Sequence, residues 1–399
     1  MHLTHLSLTD YRAFTRLDMD VPRRVLVLVG ANAQGKTSVL ESIYYLATFN
    51  SFHTHSDRQL INFMACERSP AVARIVAGFQ KGSQVHRLEV RLIMENGGGG
   101  AGRFRREILL DGVKRTATEA LGAFNAVIFL PQMTRIIDGE PEERRRYLNL
   151  ALAQAVPGYA QALSEYDKAL TQRNALLRQL SERGGDAGQL RTWDEMLAER
   201  GAVIILARIA AVQEMERLAA RLHHRLTHAQ EVLRLVYQPA YDPLTPVGQY
   251  ALPIQTGSQR GGFSRDQIRQ GFMQRLEALR SEEIARGVTT CGPHRDELRF
   301  MSNGVDLGDY GSRGQVRTAL MALKLAEMAW LKERTGQWPV LLLDEILAEL
   351  DLQRRADLLE TLADCEQAIL TTTDLGLFAG PFVEQTTIWR VKEGRVEIP

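Results

Sequence analysis

Eight consecutive residues, Gly30-Ala31-Asn32-Ala33-Gln34-Gly35-Lys36-Thr37, fit the pattern G-x-x-x-x-G-K-[ST], and Ser38 follows them. Small residues let backbone N–H groups close around phosphate oxygens, and a lysine brings a point charge to the β and γ positions. A hydroxyl one residue further on ligates a divalent cation. The run from Gly30 to Ser38 is therefore expected to hold the phosphates of ATP, with Thr37 on Mg²⁺. A second chemical cluster lies far along the chain, where the apolar run Pro339-Val340-Leu341-Leu342-Leu343 ends in Asp344-Glu345. Asp344 suits a Mg²⁺ partner, Glu345 suits the residue that polarises an attacking water, and Lys36 suits neutralising charge on the transferred group.

Between these two clusters stands Tyr310-Gly311-Ser312-Arg313-Gly314-Gln315-Val316-Arg317, ahead of a helical stretch. Free N–H groups at a helix start and the Ser312 hydroxyl make a second anion site, in cis or in trans. The Ser-x-Gly-Gln order resembles the signature of ABC-type ATPases. That resemblance implies that Ser312, Gly314 and Gln315 complete the nucleotide site of a second subunit, so that ATP joins a homodimer head to head. It also makes Glu349-Leu350-Asp351 similar to a D-loop, with Asp351 near nucleotide, and Gln132 similar to the Q-loop glutamine that senses Mg²⁺ and the γ-phosphate. Where many such enzymes carry a switch histidine, this chain has Thr371-Thr372-Thr373-Asp374, leaving Thr373 or Asp374 at that position.

Several elements must position these groups. Alternation at Leu3, Leu6 and Leu8 and the apolar run 25–29 predict two early strands on either side of a turn at 18–24. Residues 36–46 switch to helical spacing, which puts the glycine loop between strand and helix. Runs at 72–79, 85–93 and 104–110 predict an antiparallel sheet, the last closing on the hairpin pair Asp111-Gly112, and 97–100 reads as a loop tip. A buried strand is expected at 126–130 and a short one at 368–370. From Pro141, with Glu142 and Glu143 at a helix start, helix dominates to about 236, broken at 157–158 and 184–188. A proline-rich stretch at 239–253 and a helix at 265–286 follow. The predicted class is α/β: an ATPase head of mixed sheet plus antiparallel β subdomain, interrupted by a mostly helical lobe. Its expected divisions are 1–140, 141–288 and 289–399.

Four further segments, in order, narrow the class. They are Leu6 to Phe14 (LSLTDYRAF), Phe129-Leu130-Pro131-Gln132 with Glu143-Arg144-Arg145-Arg146-Tyr147-Leu148, Gly292-Pro293-His294-Arg295-Asp296, and the Ser312 segment with its helix. Together they resemble the RecF family of bacterial recombination mediators across essentially the whole chain. Asn149, where an aspartate is common, and Ile346-Leu347-Ala348 depart from the pattern without touching a phosphate ligand. The resemblance implies a slow, DNA-stimulated ATPase of repair, replication and the SOS response. It implies an ATP-dependent dimer that clamps duplex DNA beside single-stranded gaps and works with RecR and RecO to load recombinase, with Arg12 added to the nucleotide site. An ABC-type subunit coupled to transport and a non-enzymatic DNA scaffold are the competing readings.

Arg103, Arg105 and Arg106, with Lys114 and Arg115 across the hairpin, are candidates for a DNA-phosphate stripe. A solvated strand face explains them equally well. Arg144 to Arg146 divide between helix-surface ion pairs and an ATP-sensing or interlobe role, and His294 and Arg295 receive no chemistry. The 399 residues, 45% hydrophobic and 24% charged with a formal charge of +1, describe a globular chain with no overall basic bias. Three scattered cysteines support neither a disulfide framework nor a zinc site. No apolar run reaches the roughly 20 residues of a membrane span and the first residues resemble no secretory signal, so a cytoplasmic protein with no membrane partner is expected.

Overall fold

The computed structural model describes residues 1–95, 103–243, 262–363, 365–378 and 380–397. The loop tip expected at 97–100 and most of the proline-rich stretch lie outside the described residues. The chain divides into two compact units, Met1–Met133 with Glu327–Pro399, and Thr134–Ala326.

In the first unit, Arg24–Val29 is flanked in parallel by Gln367–Thr372 and Thr387–Lys392. Val340–Asp344 continues the sheet beside Gln367–Thr372, and Ala126–Phe129 beside it. Arg395–Glu397 adds an antiparallel edge. Val340–Asp344 and Gln367–Thr372 are buried at every position, as expected where helices and a second layer cover a parallel sheet, while Thr387–Lys392 near the edge exposes Arg390 and Lys392. The second layer is antiparallel: Phe14–Asp20, His2–Tyr11, Ala71–Lys81, Gln84–Glu95, Arg103–Leu110 and Val113–Arg115, in that order. Between the layers lies the helix Lys36–Thr48. Val39, Leu40, Ile43 and Leu46 share one core with Ile128, Leu342 and Ile369 of the parallel sheet and with Leu6, Leu8, Ile75 and Val90 of the antiparallel one.

One early element differs from expectation. Residues 18–20 of the turn expected at 18–24 belong to the strand Phe14–Asp20, which returns along His2–Tyr11 from a tight turn at Arg12 and Ala13, and 21–23 alone connect it to Arg24–Val29. Phe14, Leu17 and Met19 face the core, while the polar residues between them face solvent and hide the alternation. The Asp111-Gly112 hairpin forms as predicted, with both residues at positive φ.

The second unit is built on helices Pro141–Ala155, Tyr159–Arg183, Leu190–Leu226 and Arg265–Arg286. The longest, at 37 residues, spans about 55 Å. A three-stranded sheet of Val305–Asp306, Glu297–Ser302 and Leu233–Gln238 joins them. The expected boundary at 288/289 therefore moves to 326/327. Glu297–Ser302 pairs with Leu233–Gln238, and Thr289 hydrogen-bonds Arg173 and Asn174 of the helical lobe. The Ser312 segment falls with that lobe.

Two buried ion-pair networks organise this unit. Arg173 donates to Asp194 (2.7 Å), Glu283 (2.6 Å) and Thr289 (2.8 Å). Arg208, the charge interrupting an otherwise apolar helix stretch, donates to Asp296 and the Pro293 carbonyl (both 2.6 Å), Asn149 (2.9 Å) and Tyr159 (3.3 Å). Asp296 also accepts from Tyr237 and from the Ala240 N–H. The Gly-Pro-His-Arg-Asp segment is thus a staple. His294 sits between the Tyr166 hydroxyl (2.8 Å) and the Thr289 carbonyl (3.2 Å), and burial above all pushes its pKa down to about 4, so it is neutral. Gly292 has φ 128°, and a Cβ there would stand 2.4 Å from the Tyr166 hydroxyl, which leaves glycine alone. Arg144 pairs with Glu297 (2.6 and 2.9 Å), a contact within this unit and not along its own helix.

Candidate functional site

Parallel strands bring their C-terminal ends to one edge, and ligands collect there. At that edge the phosphate loop leaves Val29 and Asp344 closes its strand two positions away in the sheet order. The Thr37 hydroxyl lies 3.0 Å from each Asp344 carboxylate oxygen. Asp344 also accepts a 2.6 Å hydrogen bond from Thr371, whose oxygen in turn accepts from the Glu345 N–H at 3.1 Å. This holds Glu345 in the left-handed region (φ 50°), unusual for a side chain of its size. Lys36 is almost fully buried: Nζ donates to the carbonyls of Gly30 (2.7 Å) and Ala31 (2.9 Å) and stands 3.2 Å from Glu345 Oε1. Thr37, Asp344, Lys36 and Glu345, far apart in sequence, form one cluster.

The loop itself is tethered. Gln34 Oε1 accepts from the Glu393 N–H and its carbonyl from Gly394, which spends the Gln34 side chain on the C-terminal hairpin. Gly35 has φ 106° and abuts the Phe14 ring, another position for glycine only. Arg12 docks along the phosphate-loop helix, forking onto the buried Glu41 at 2.8 and 2.7 Å and reaching the Gln59 carbonyl at 3.1 Å. Ser51 caps the same Glu41 carboxylate at 2.5 Å. Gln132 is exposed in the turn Pro131–Thr134, just past the strand that pairs Phe129 with Leu343.

The Thr37 hydroxyl and Asp344 carboxylate are hard oxygen donors facing one another, which fits Mg²⁺ completed by phosphate and water. Among the described residues no group of three or more His, Cys, Asp or Glu makes a protein-only metal cage.

In the second unit Ser312 caps the helix Arg313–Thr335 reciprocally. Its oxygen accepts from the Gln315 N–H (3.2 Å) and its N–H donates to Gln315 Oε1 (3.0 Å). Gln315 Nε2 is anchored on Glu231 (3.1 Å), and Ser312, Arg313 and Gly314 remain exposed. Asp351 is exposed too and is held below the usual carboxylate range, first by the Arg354 N–H at 2.9 Å. Asp374 caps the turn that follows its strand by accepting from the Gly376 N–H (2.8 Å), which leaves Thr373 facing solvent.

The basic stripe splits. Neighbours along a strand face opposite sides, so Arg103, Arg105 and Lys114 share the open face, while Arg106 and Arg115 lie on the other. Arg106 is tied there to Tyr45, Asp57 and the Phe49 carbonyl. The open face adds three arginines that sequence reasoning passed over. Arg74, Arg87 and Arg91 surround Glu89, and Arg74 above all, with Arg91, holds Glu89 down to about 2. Thr371, Glu41 and Ser51 were also missed, since each acts through a contact distant in sequence. The strand-ending position of Thr371, parallel to that of Asp344, was the one available signal.

A phosphate loop and an acid pair at the C-terminal ends of two parallel strands separated by one other, a capped glycine-bearing helix start and an antiparallel side layer define the ATP-binding head of the ABC class. The sequence profile described as the RecF/RecN/SMC N terminal domain matches residues 2–393. "DNA replication and repair protein RecF" of Chloroflexus aurantiacus is 37% identical over 406 residues, covering 99% of each chain. The protein of that name from an Exiguobacterium is 35% identical, covering all of this chain and 99% of its own. A solved structure of the recombination mediator RecF with ATP superposes with a TM-score of 0.83 at 27% identity, over 99% of this chain and 97% of that one. An SMC head bound to a winged-helix domain, at 13% identity and a TM-score of 0.51, shares the fold. The chain belongs to the RecF family.

Proposed function

We propose that this protein is an ATP-dependent DNA-binding protein of recombinational repair, a dimer clamp closed by ATP on duplex DNA next to single-stranded gaps. It is a slow ATPase stimulated by DNA, and it acts with RecR and RecO in loading recombinase. The observation that carries the reading is the Thr37 hydroxyl set 3.0 Å from both oxygens of Asp344, with Glu345 beside it and Lys36 against Glu345. Family membership and the likeness to a solved RecF–ATP structure support it.

Each residue then has a task. Backbone N–H groups from Gly30 to Ser38 hold the phosphates, Lys36 exchanges its Glu345 contact for phosphate oxygen, and Glu345 turns to polarise the attacking water. Thr37 and Asp344, with Gln132 nearby, would hold Mg²⁺, which supplies charge at the β and γ oxygens. Arg12, fixed by Glu41, brings a guanidinium to the nucleotide. The exposed Ser312 and Gly314 and the half-buried Gln315, with Asp351, meet the nucleotide of a second copy. Arg74, Arg87, Arg91, Arg103, Arg105 and Lys114 form the face offered to DNA phosphates.

Turnover of ATP to ADP and phosphate, with and without duplex DNA, tests the enzyme. Turnover that DNA accelerates and that Lys36→Ala and Asp344→Asn abolish is expected. Binding of DNA without turnover under any of these conditions would leave only a scaffold.

A further inference from the structure

At the far end of the phosphate-loop helix the first unit holds a cavity of about 580 Å³ that the nucleotide cluster does not use. Its walls include Phe49, Asn50, His55, Asp57, Arg58 and Phe104, with Arg106 at the base. Lys36 and Phe49 are 13 positions apart on and just past one helix, so the cavity stands about 20 Å from the phosphate loop. Volumes of roughly 300 to 1,000 Å³ with a few converging polar groups are those of small-ligand sites.

The chemistry of the walls is specific. Tyr45, whose phenol burial above all keeps protonated, donates to Asp57 at 2.7 Å, and Arg106 Nη1 donates to Asp57 (3.1 Å) and the Phe49 carbonyl (3.0 Å). That fixes the Arg106 guanidinium through one nitrogen. Its planar group also lies 5.8 Å from the centre of the Phe49 ring, and among the described residues its Nε and Nη2, the His55 imidazole and the Ser56 hydroxyl make no hydrogen bond. The Arg58 guanidinium lies 5.9 Å from the centre of the Phe104 ring, so a cationic group and a flat apolar surface stand side by side. Ala117 and Leu121 extend the apolar wall, and the Asn50 side-chain oxygen offers an acceptor. Two guanidiniums, an imidazole and a hydroxyl suit a phosphate. An aromatic ring with an amide acceptor suits a base.

We propose that this cavity is a second binding site, separate from the phosphate loop, for a phosphorylated nucleoside. Its phosphate sits on Arg106 and Arg58 and its base against Phe104. The occupant is a free mononucleotide or one nucleotide of a single strand. The wall turn Asp57–Leu60 also carries the Gln59 carbonyl that accepts from Arg12.

Calorimetric titration of the full chain carrying Lys36→Ala, which disables the phosphate loop, tests the site with AMP and separately with a short single-stranded oligothymidylate. Two second-site variants accompany it: Arg58→Glu, at an exposed position, and Ala117→Trp, which fills the cavity without changing charge. Both must keep the parent's unfolding midpoint. The expected result is binding of at least one probe, weakened about tenfold or more by each variant. Loss for AMP identifies a free nucleotide, and loss for the oligonucleotide alone identifies a strand. Absence of binding by both probes overturns the site. So does binding that Ala117→Trp leaves unchanged, which marks general charge attraction.

Discussion

Glu345, Lys36, Thr37 and Asp344 were legible because each lies in a contiguous motif whose flanking strand or helix announces itself. Thr371 was not, since nothing in a threonine run says which hydroxyl will meet a carboxylate from another strand. Its 2.6 Å bond to Asp344 and its contact with the Glu345 N–H give it a positioning role. Thr371→Val is expected to lower ATP turnover roughly three- to tenfold at unchanged nucleotide affinity, with recovery in Thr371→Ser. Steady-state kinetics beside equilibrium nucleotide binding checks this. His294 shows the opposite case, a residue conspicuous in sequence whose work is structural. Its pKa of about 4 in the folded protein lies below the ordinary 6.5. The unfolded chain therefore binds the proton first, and stability is intact above pH 6.5 and falls as pH drops towards 4. The loss is at most about 3 kcal/mol. Urea midpoints across that range should fall more steeply for the wild type than for His294→Gln.

At the scale of elements, the alternating and apolar runs gave the parallel core and the central strands of the antiparallel layer. Phe14–Asp20 escaped because its solvent face is charged and its core face holds only three apolar residues. Grouping Arg105 with Arg106 overlooked the two-residue period of a strand, and the same period places Arg74, Arg87 and Arg91 with Arg105. If that open face receives DNA, Arg87→Glu and Arg103→Glu each weaken duplex binding at every sequence. Each should also flatten the log-affinity against log-salt slope by about 0.9. Fluorescence anisotropy at several salt concentrations measures both effects. Arg208, within the otherwise apolar stretch 201–212, is the centre of a buried network. Asp296→Ala leaves that guanidinium buried without its carboxylate, at an expected cost of about 3 to 5 kcal/mol by chemical denaturation.

For the whole molecule, a near-zero net charge concealed a sheet face on which Arg74, Arg87, Arg91, Arg103, Arg105 and Lys114 outnumber the acids they pair with, Glu89, Glu95 and Glu107, an excess that strand register brings into view. The division of the chain was half legible. A helical insertion shows in composition, but its end does not, because the strand Glu297–Ser302 looks like head and pairs with lobe. Ser312 stays exposed at a capped helix start while Thr37, Asp344 and Glu345 cluster in the other unit. In the proposed dimer a second copy brings Ser312 to the nucleotide. Sedimentation of the Glu345→Gln variant with saturating ATP and Mg²⁺ tests it most directly, because slowed hydrolysis preserves the closed state. The expected result is a dimer that Ser312→Arg returns to monomer without loss of ATP binding. A monomer at saturating ATP, or a dimer indifferent to Ser312→Arg, would contradict it.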